Sequence, residues 1–152
     1  MADVDGDGIL DLVLTNCASS SVSVFLGNGD GTFRTPVGYA TGPDPSSVAV
    51  ADFNGDGILD LVVVNGWSSS ASVLLGKGDG TFQTQVTYAT GPDPFAVAVA
   101  DFNGDGVPDL VIANGNAHSV SVLLATVRRK IHFFQEANEG DRRKTRRCER
   151  RV

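Results

Sequence analysis

Along this chain, short β-branched runs of four to seven residues alternate with clusters of Gly, Asp, Asn, Ser and Pro, and no segment sustains a helical period. Between residues 45 and 90 the pattern predicts strands at 47–51, 60–65, 71–76 and 84–89. Asn65-Gly66 opens a hairpin turn after the second, because both residue types tolerate positive φ. Gly76-Lys77-Gly78-Asp79-Gly80 turns the chain after the third. Thr90-Gly91-Pro92-Asp93-Pro94 closes the unit, since proline fixes φ and gives no ladder donor. Leu61-Val62-Val63-Val64 is apolar without alternation, which reads as a strand covered on both faces.

The same pattern recurs with a period of 49 residues, and residues 2–50 agree with residues 51–99 at 35 of 49 positions. A period of this size signals a propeller, solenoid or array, in which one repeat cannot bury its apolar faces alone. Four short strands per repeat match a propeller blade. The expected fold is therefore all-β: a partial β-propeller of four-stranded blades. Residues 1–124 hold about two and a half blades, the first without its innermost strand and the third without a fourth strand after Leu124. The loop motif begins at Asp3, and this close start implies further sequence upstream.

Charge divides the chain. Residues 1–124 carry 14 Asp and no Glu against only Arg34 and Lys77, a net charge of −12. Asp without Glu favours turns and short-armed ligands over helices. Residues 125–152 carry ten Lys or Arg and a net charge of +6. This basic tail is expected to be disordered or out of frame: GGC-AAC-GGT, encoding the Gly-Asn-Gly of earlier repeats, read one base late gives the Ala125-Thr126-Val127 found here. The rival reading is a genuine solvated tail, and its Arg142-Arg143-Lys144 run only superficially resembles a nucleic-acid patch. The chain has no apolar run of the roughly 20 residues that a membrane helix needs. Cys17 and Cys148 give no disulfide pattern.

Each repeat opens with an acidic loop. Counting its first Asp as position 1, oxygen-bearing side chains fall at positions 1, 3, 5 and 9: Asp3, Asp5, Asp7 and Asp11; Asp52, Asn54, Asp56 and Asp60; Asp101, Asn103, Asp105 and Asp109. Calcium takes six to eight oxygens from carboxylates, carbonyls and water. Glycine at position 6 permits the sharp turn, so that the carbonyls of Ile9, Ile58 and Val107 at position 7 can face an ion. The loop is not an EF-hand, because position 12 is Leu14, Val63 or Ile112 and no helix follows. An ion-free Asp/Gly turn is the plain alternative, but crowded carboxylates repel without a cation. Three Ca²⁺ sites are expected.

Other chemistries find little support. The 27–31 segment lacks the Lys-Ser/Thr ending of a phosphate loop. His118 stands alone, and the serine clusters at 19–23 and 68–72 have no ordered His and Asp partners. No catalytic residue and no organic cofactor site is expected. Trp67, replacing Ala18 and Asn116, reads as a loop cap or a sugar- or protein-contacting aromatic.

Three motifs recur in order over residues 2–124: Asp-Phe-Asn-Gly-Asp-Gly-x-x-Asp-Leu, Gly-x-Gly-Asp-Gly-Thr-Phe at 27–33 and 76–82, and Thr-Gly-Pro-Asp-Pro at 41–45 and 90–94. On these the chain resembles the FG-GAP repeats of the integrin α-subunit propeller, in the bacterial variety often called VCBS repeats. The resemblance implies a propeller of about seven blades, calcium between the first two strands of each, and an extracellular or cell-surface role in adhesion or ligand recognition. It implies a non-enzyme whose partners are an unknown protein or carbohydrate and further blades, with no nucleic acid. The alternatives are an accessory module of a larger secreted carbohydrate-active enzyme, or a truncated gene product without its own function.

Overall fold

The structure, a computed structural model, describes residues 1–125 and the backbone of Phe134–Glu136. It is all-β, with three antiparallel sheets. The first holds β1 (Leu12–Asn16), β2 (Ser21–Phe25) and β3 (Val37–Ala40), with a single 3-10 turn at Cys17–Ser19 between the first two. The second holds β4 (Pro45–Ala51), β5 (Asp60–Asn65), β6 (Ser70–Leu74) and β7 (Val86–Ala89) in sequence order. The third holds β8 (Pro94–Ala100), β9 (Asp109–Asn114), β10 (Ser119–Leu124) and β11 (Phe134–Glu136).

The register repeats with the sequence. Ala51 pairs with Asp60 and Val48 with Val63, just as Ala100 pairs with Asp109 and Val97 with Ile112. In the first sheet only a bridge between Ala2 and Asp11 occupies that place, so β1 is a sheet edge. β6 starts one residue before the predicted strand and ends two before it, and Leu75 and Gly76 instead pair with Gln83 and Phe82 across the following turn. β7 begins at Val86 rather than 84.

One expectation is corrected. The third repeat has a fourth strand: β11 pairs with β10 through Val122 and Glu136, Leu123 and Gln135, and Leu124 and Phe134. Strand pairing is made by backbone groups, so a segment outside the repeat pattern can still fill the edge of β10. Apart from this strand, the tail assigned to residues 125–152 lies outside the described residues, except Ala125, which is fully buried and belongs to the repeat body.

The unbroken apolar run of β5 explains the stacking. Leu61, Val62, Val63 and Val64 all have zero exposure, and alternate residues point to opposite faces. Leu61 and Val63, with Leu74 and Phe82, pack against Val13, Val22 and Val24 of the first sheet. Val62 and Val64, with Phe53, Ala71 and Val73, pack against Leu110, Ile112 and Leu123 of the third. The second sheet is thus sandwiched, and its strands need apolar side chains on both faces. The outer faces are less covered: Leu14, in the place of Val63, is 43% exposed.

Candidate metal centre

The acidic loops lie between the place of the inner strand and the second strand of each sheet, at the end where β4 and β8 finish. Their shape is held by Asp side chains bonding backbone amides. Asp3 Oδ1 accepts from Gly6 N at 2.7 Å and Asp7 N at 3.1 Å, and its Oδ2 accepts from Gly8 N at 2.8 Å. Asp52 does the same for Gly55, Asp56 and Gly57, and Asp101 for Gly104, Asp105 and Gly106. Curling three amides around one carboxylate demands left-handed backbone, and Gly6 and Gly8 sit at φ 76° and 85°.

Position 5 caps the turn behind it. Asp7, Asp56 and Asp105 each accept from the amide of position 7, which is Ile9, Ile58 or Val107, at 2.8–2.9 Å. Position 3 differs between copies. Asp5 in the first loop is a carboxylate, whereas Asn54 and Asn103 donate Nδ2 to Asp56 and Asp105 at 2.9 and 3.1 Å and so relieve one charge.

Position 9 is the deepest. Asp11, Asp60 and Asp109 are almost completely buried. Asp60 Oδ2 accepts from Phe53 N at 3.1 Å and Oδ1 from Gly76 N at 2.9 Å. Asp11 makes the same pair with Val4 and Gly27, and Asp109 with Phe102 and Ala125. Burial is the main influence on Asp60 and raises its pKa to about 6, against the lowering effect of its two amide donors. Burial likewise raises Asp5.

In the first loop, Asp3, Asp5 and Asp11 each offer a carboxylate oxygen, and the three atoms lie within 4.8 Å of one another. Among the described residues this is the one such convergence of acidic, His or Cys side chains. Asp7 stands outside it. So do the second and third loops, where an amide replaces the position 3 carboxylate. Hard oxygen donors converging at this separation fit a hard divalent cation such as Ca²⁺.

Two features escaped the sequence reading. Arg34 extends over the first loop, with its guanidinium 3.8 Å from Asp5 and 3.6 Å from Asp7. Its signal was available: it is the one basic residue of the first repeat, where the second has Gln83. The other feature is a polar latch. Asn65 Nδ2 donates to Ser70 and Ser72, and Ser72 Oγ accepts from Gly42 N of the preceding linker at 3.1 Å. Asn114, Ser119, Ser121 and Gly91 repeat it. The recurring Asn-x4-Ser-x-Ser spacing was its visible sign. Trp67 is 84% exposed at the tip of the β5–β6 hairpin, opposite the acidic loops. Phe95, Asn114 and His118 line a shallow depression at the same end of the third sheet.

A family model described as FG-GAP-like repeat matches residues 3–63 and 52–112. Comparison with curated proteins and with solved structures gave no match.

Proposed function

The chain belongs to the FG-GAP-like repeat family, and from that premise we propose that it is a calcium-binding β-propeller repeat module, non-catalytic, serving adhesion or ligand recognition outside the cell. The observation that carries this reading is the convergence of Asp3, Asp5 and Asp11 oxygens within 4.8 Å. Asp3, Asp5, Asp7 and Asp11 would hold the ion in the first loop, and Asp52, Asn54, Asp56 and Asp60 or Asp101, Asn103, Asp105 and Asp109 in the others. Main-chain carbonyls of Ile9, Ile58 and Val107 would complete each set. A bound Ca²⁺ would supply charge neutralisation to carboxylates that the chain's own amides already hold in place.

Affinities of roughly 10⁻⁴–10⁻³ M, typical of extracellular modules, would keep the loops filled only where calcium is abundant. The exposed ring of Trp67 presents an amphipathic surface suited to a protein or carbohydrate contact. Calorimetric titration of the chelator-stripped full chain tests the metal reading. Saturable uptake in that range is expected, and an absence of binding at millimolar calcium would sink it.

A further inference from the structure

The sequence holds five Asn-Gly steps, at Asn28, Asn54, Asn65, Asn103 and Asn114. Such a step is prone to cyclise on itself, because glycine brings no Cβ to obstruct its amide nitrogen as it attacks the asparagine Cγ. Those at Asn28, Asn54 and Asn103 share the tripeptide Asn-Gly-Asp, so their immediate sequence does not separate them. The fold does. Asn65 and Asn114 are buried, and their Nδ2 groups donate to Ser70 and Ser72 or to Ser119 and Ser121. The amides that follow them, Gly66 N and Gly115 N, are held by Asp44 O and Asp93 O, each at 2.8 Å. Asn54 and Asn103 are clamped in the acidic loops. Gly55 N donates to Asp52 Oδ1 and Gly104 N to Asp101 Oδ1, each at 2.7 Å. Asn54 also accepts from Asp56 N at 2.8 Å and donates to Asp56 Oδ2 at 2.9 Å, and Asn103 makes the same pair with Asp105. At all four steps the nitrogen that would attack is already bonded to an oxygen.

Asn28-Gly29 differs. Both residues are exposed, and Gly29 N has no hydrogen-bond acceptor among the described residues. The Asn28 side chain is held only through Nδ2, which donates to the exposed Thr32 Oγ1 at 2.9 Å. Gly29 lies at φ 80°, and a Cβ there would meet only the flexible Ile9 side chain, so the step has room to turn. The turn itself does not need an asparagine. Lys77 holds the same place in the second repeat, and its N–H donates to Thr81 O at 3.0 Å just as Asn28 N does to Thr32 O.

We propose that Asn28 is a modification site, at which the chain cyclises with Gly29 and water opens the ring to aspartate and isoaspartate. Gly29 N gives its proton to hydroxide and bonds to Asn28 Cγ. The Cγ–Nδ2 bond breaks, and Nδ2 leaves as ammonia with a proton taken from water. Water then opens the succinimide at either carbonyl. Attack at Cγ gives aspartate on an ordinary backbone, and attack at the main-chain carbon leaves the chain running through Cβ and Cγ as isoaspartate. One water is consumed and one ammonia released, with no oxidation or reduction. Either product adds a negative charge to a turn that lies beside the first acidic loop. Its Gly27 N donates to Asp11 Oδ1 at 2.9 Å, and Gly29 lies against Ile9.

The test incubates the full chain, folded and in denaturant, in mildly alkaline buffer containing calcium, and follows aspartate and isoaspartate at each step by peptide mass spectrometry. In the folded chain Asn28 should convert at least about tenfold faster than the other four, the effect on a rate of having first to break one hydrogen bond to a buried or charged acceptor. In denaturant the three Asn-Gly-Asp steps should react alike. Asn28→Lys, which copies the second repeat, should remove the fast conversion and leave the other four steps as they were. Absence of conversion at Asn28 in the folded chain overturns the site. Conversion of Asn54 or Asn103 as fast as Asn28, or a lead of Asn28 that persists in denaturant, overturns its selection by the fold. The turn at 27–33 holds none of the candidate metal ligands, so conversion at Asn28 succeeds or fails separately from the metal reading.

Discussion

The carboxylate of Asp60 accepts the amide of Gly76, sixteen residues later, at 2.9 Å, while its other oxygen takes Phe53 N. One buried side chain therefore joins the acidic loop to the turn that follows the third strand. Asp60→Asn replaces an acceptor with a donor facing an N–H. It should cost about 1–3 kcal/mol, the penalty for an unsatisfied buried group. Chemical denaturation in excess chelator measures this free of any metal effect, and an unchanged midpoint would contradict the structural tie.

Gly42 should resist substitution while Gly38 tolerates it. An added Cβ on Gly42 meets Asn65 Cγ at 2.7 Å and Ser68 Oγ at 2.9 Å, whereas at Gly38 it meets nothing within 4 Å. Gly42→Ala is expected to destabilise by about 1–3 kcal/mol through overpacking. Gly38→Ala should stay within about 0.5 kcal/mol. Paired thermal melts decide the matter.

Ile112 and Leu14 occupy the same place in their repeats, yet Ile112 is fully buried and Leu14 is 43% exposed. Ile112→Ala should cost about 2–5 kcal/mol, for the lost burial and the cavity left behind. Leu14→Ala should cost under about 1 kcal/mol. Similar losses at both sites would mean that the first sheet's outer face is covered in solution.

Arg34 lies where it would compete with any cation held by Asp5 and Asp7. Its side chain is half exposed, so each contact is worth little, about 0.2–1 kcal/mol. Arg34→Gln, which copies Gln83 of the second repeat, should tighten calcium uptake by the first loop up to about fivefold. Calorimetry on the variant checks this, and a weakened first site would show that Arg34 assists the loop instead.

Calcium that binds only the folded chain stabilises it by RT ln(1 + [L]/Kd). At ~2 mM calcium and a Kd of ~0.1 mM this is about 1.8 kcal/mol per loop. Chelation should therefore lower the melting temperature. Asp5→Ala should shrink the calcium-dependent part of the stability without abolishing it, because the other two loops remain. An identical melting temperature with and without chelator would remove calcium from the stability of the fold.

The sequence alone determined the four-strand pattern of the repeat and the order of its strands, though not β11. Short β-branched runs set the strands, glycine and proline set the turns, and the 49-residue repeat required sheets stacked on sheets. It also located the acidic loops, because short-range curling around Asp3, Asp52 and Asp101 depends only on residues within five positions. What it left open were relationships between residues distant in sequence. The reach of Arg34 over Asp5 and Asp7, and the docking of Gly42 on Ser72, depend on how one turn lies over another. Those placements are set by packing on both faces of β5, which brings strands of three sheets into a single stack. β11 is the clearest case: its sequence carries no repeat signal, and it pairs because β10 presents free backbone groups that any extended segment can meet.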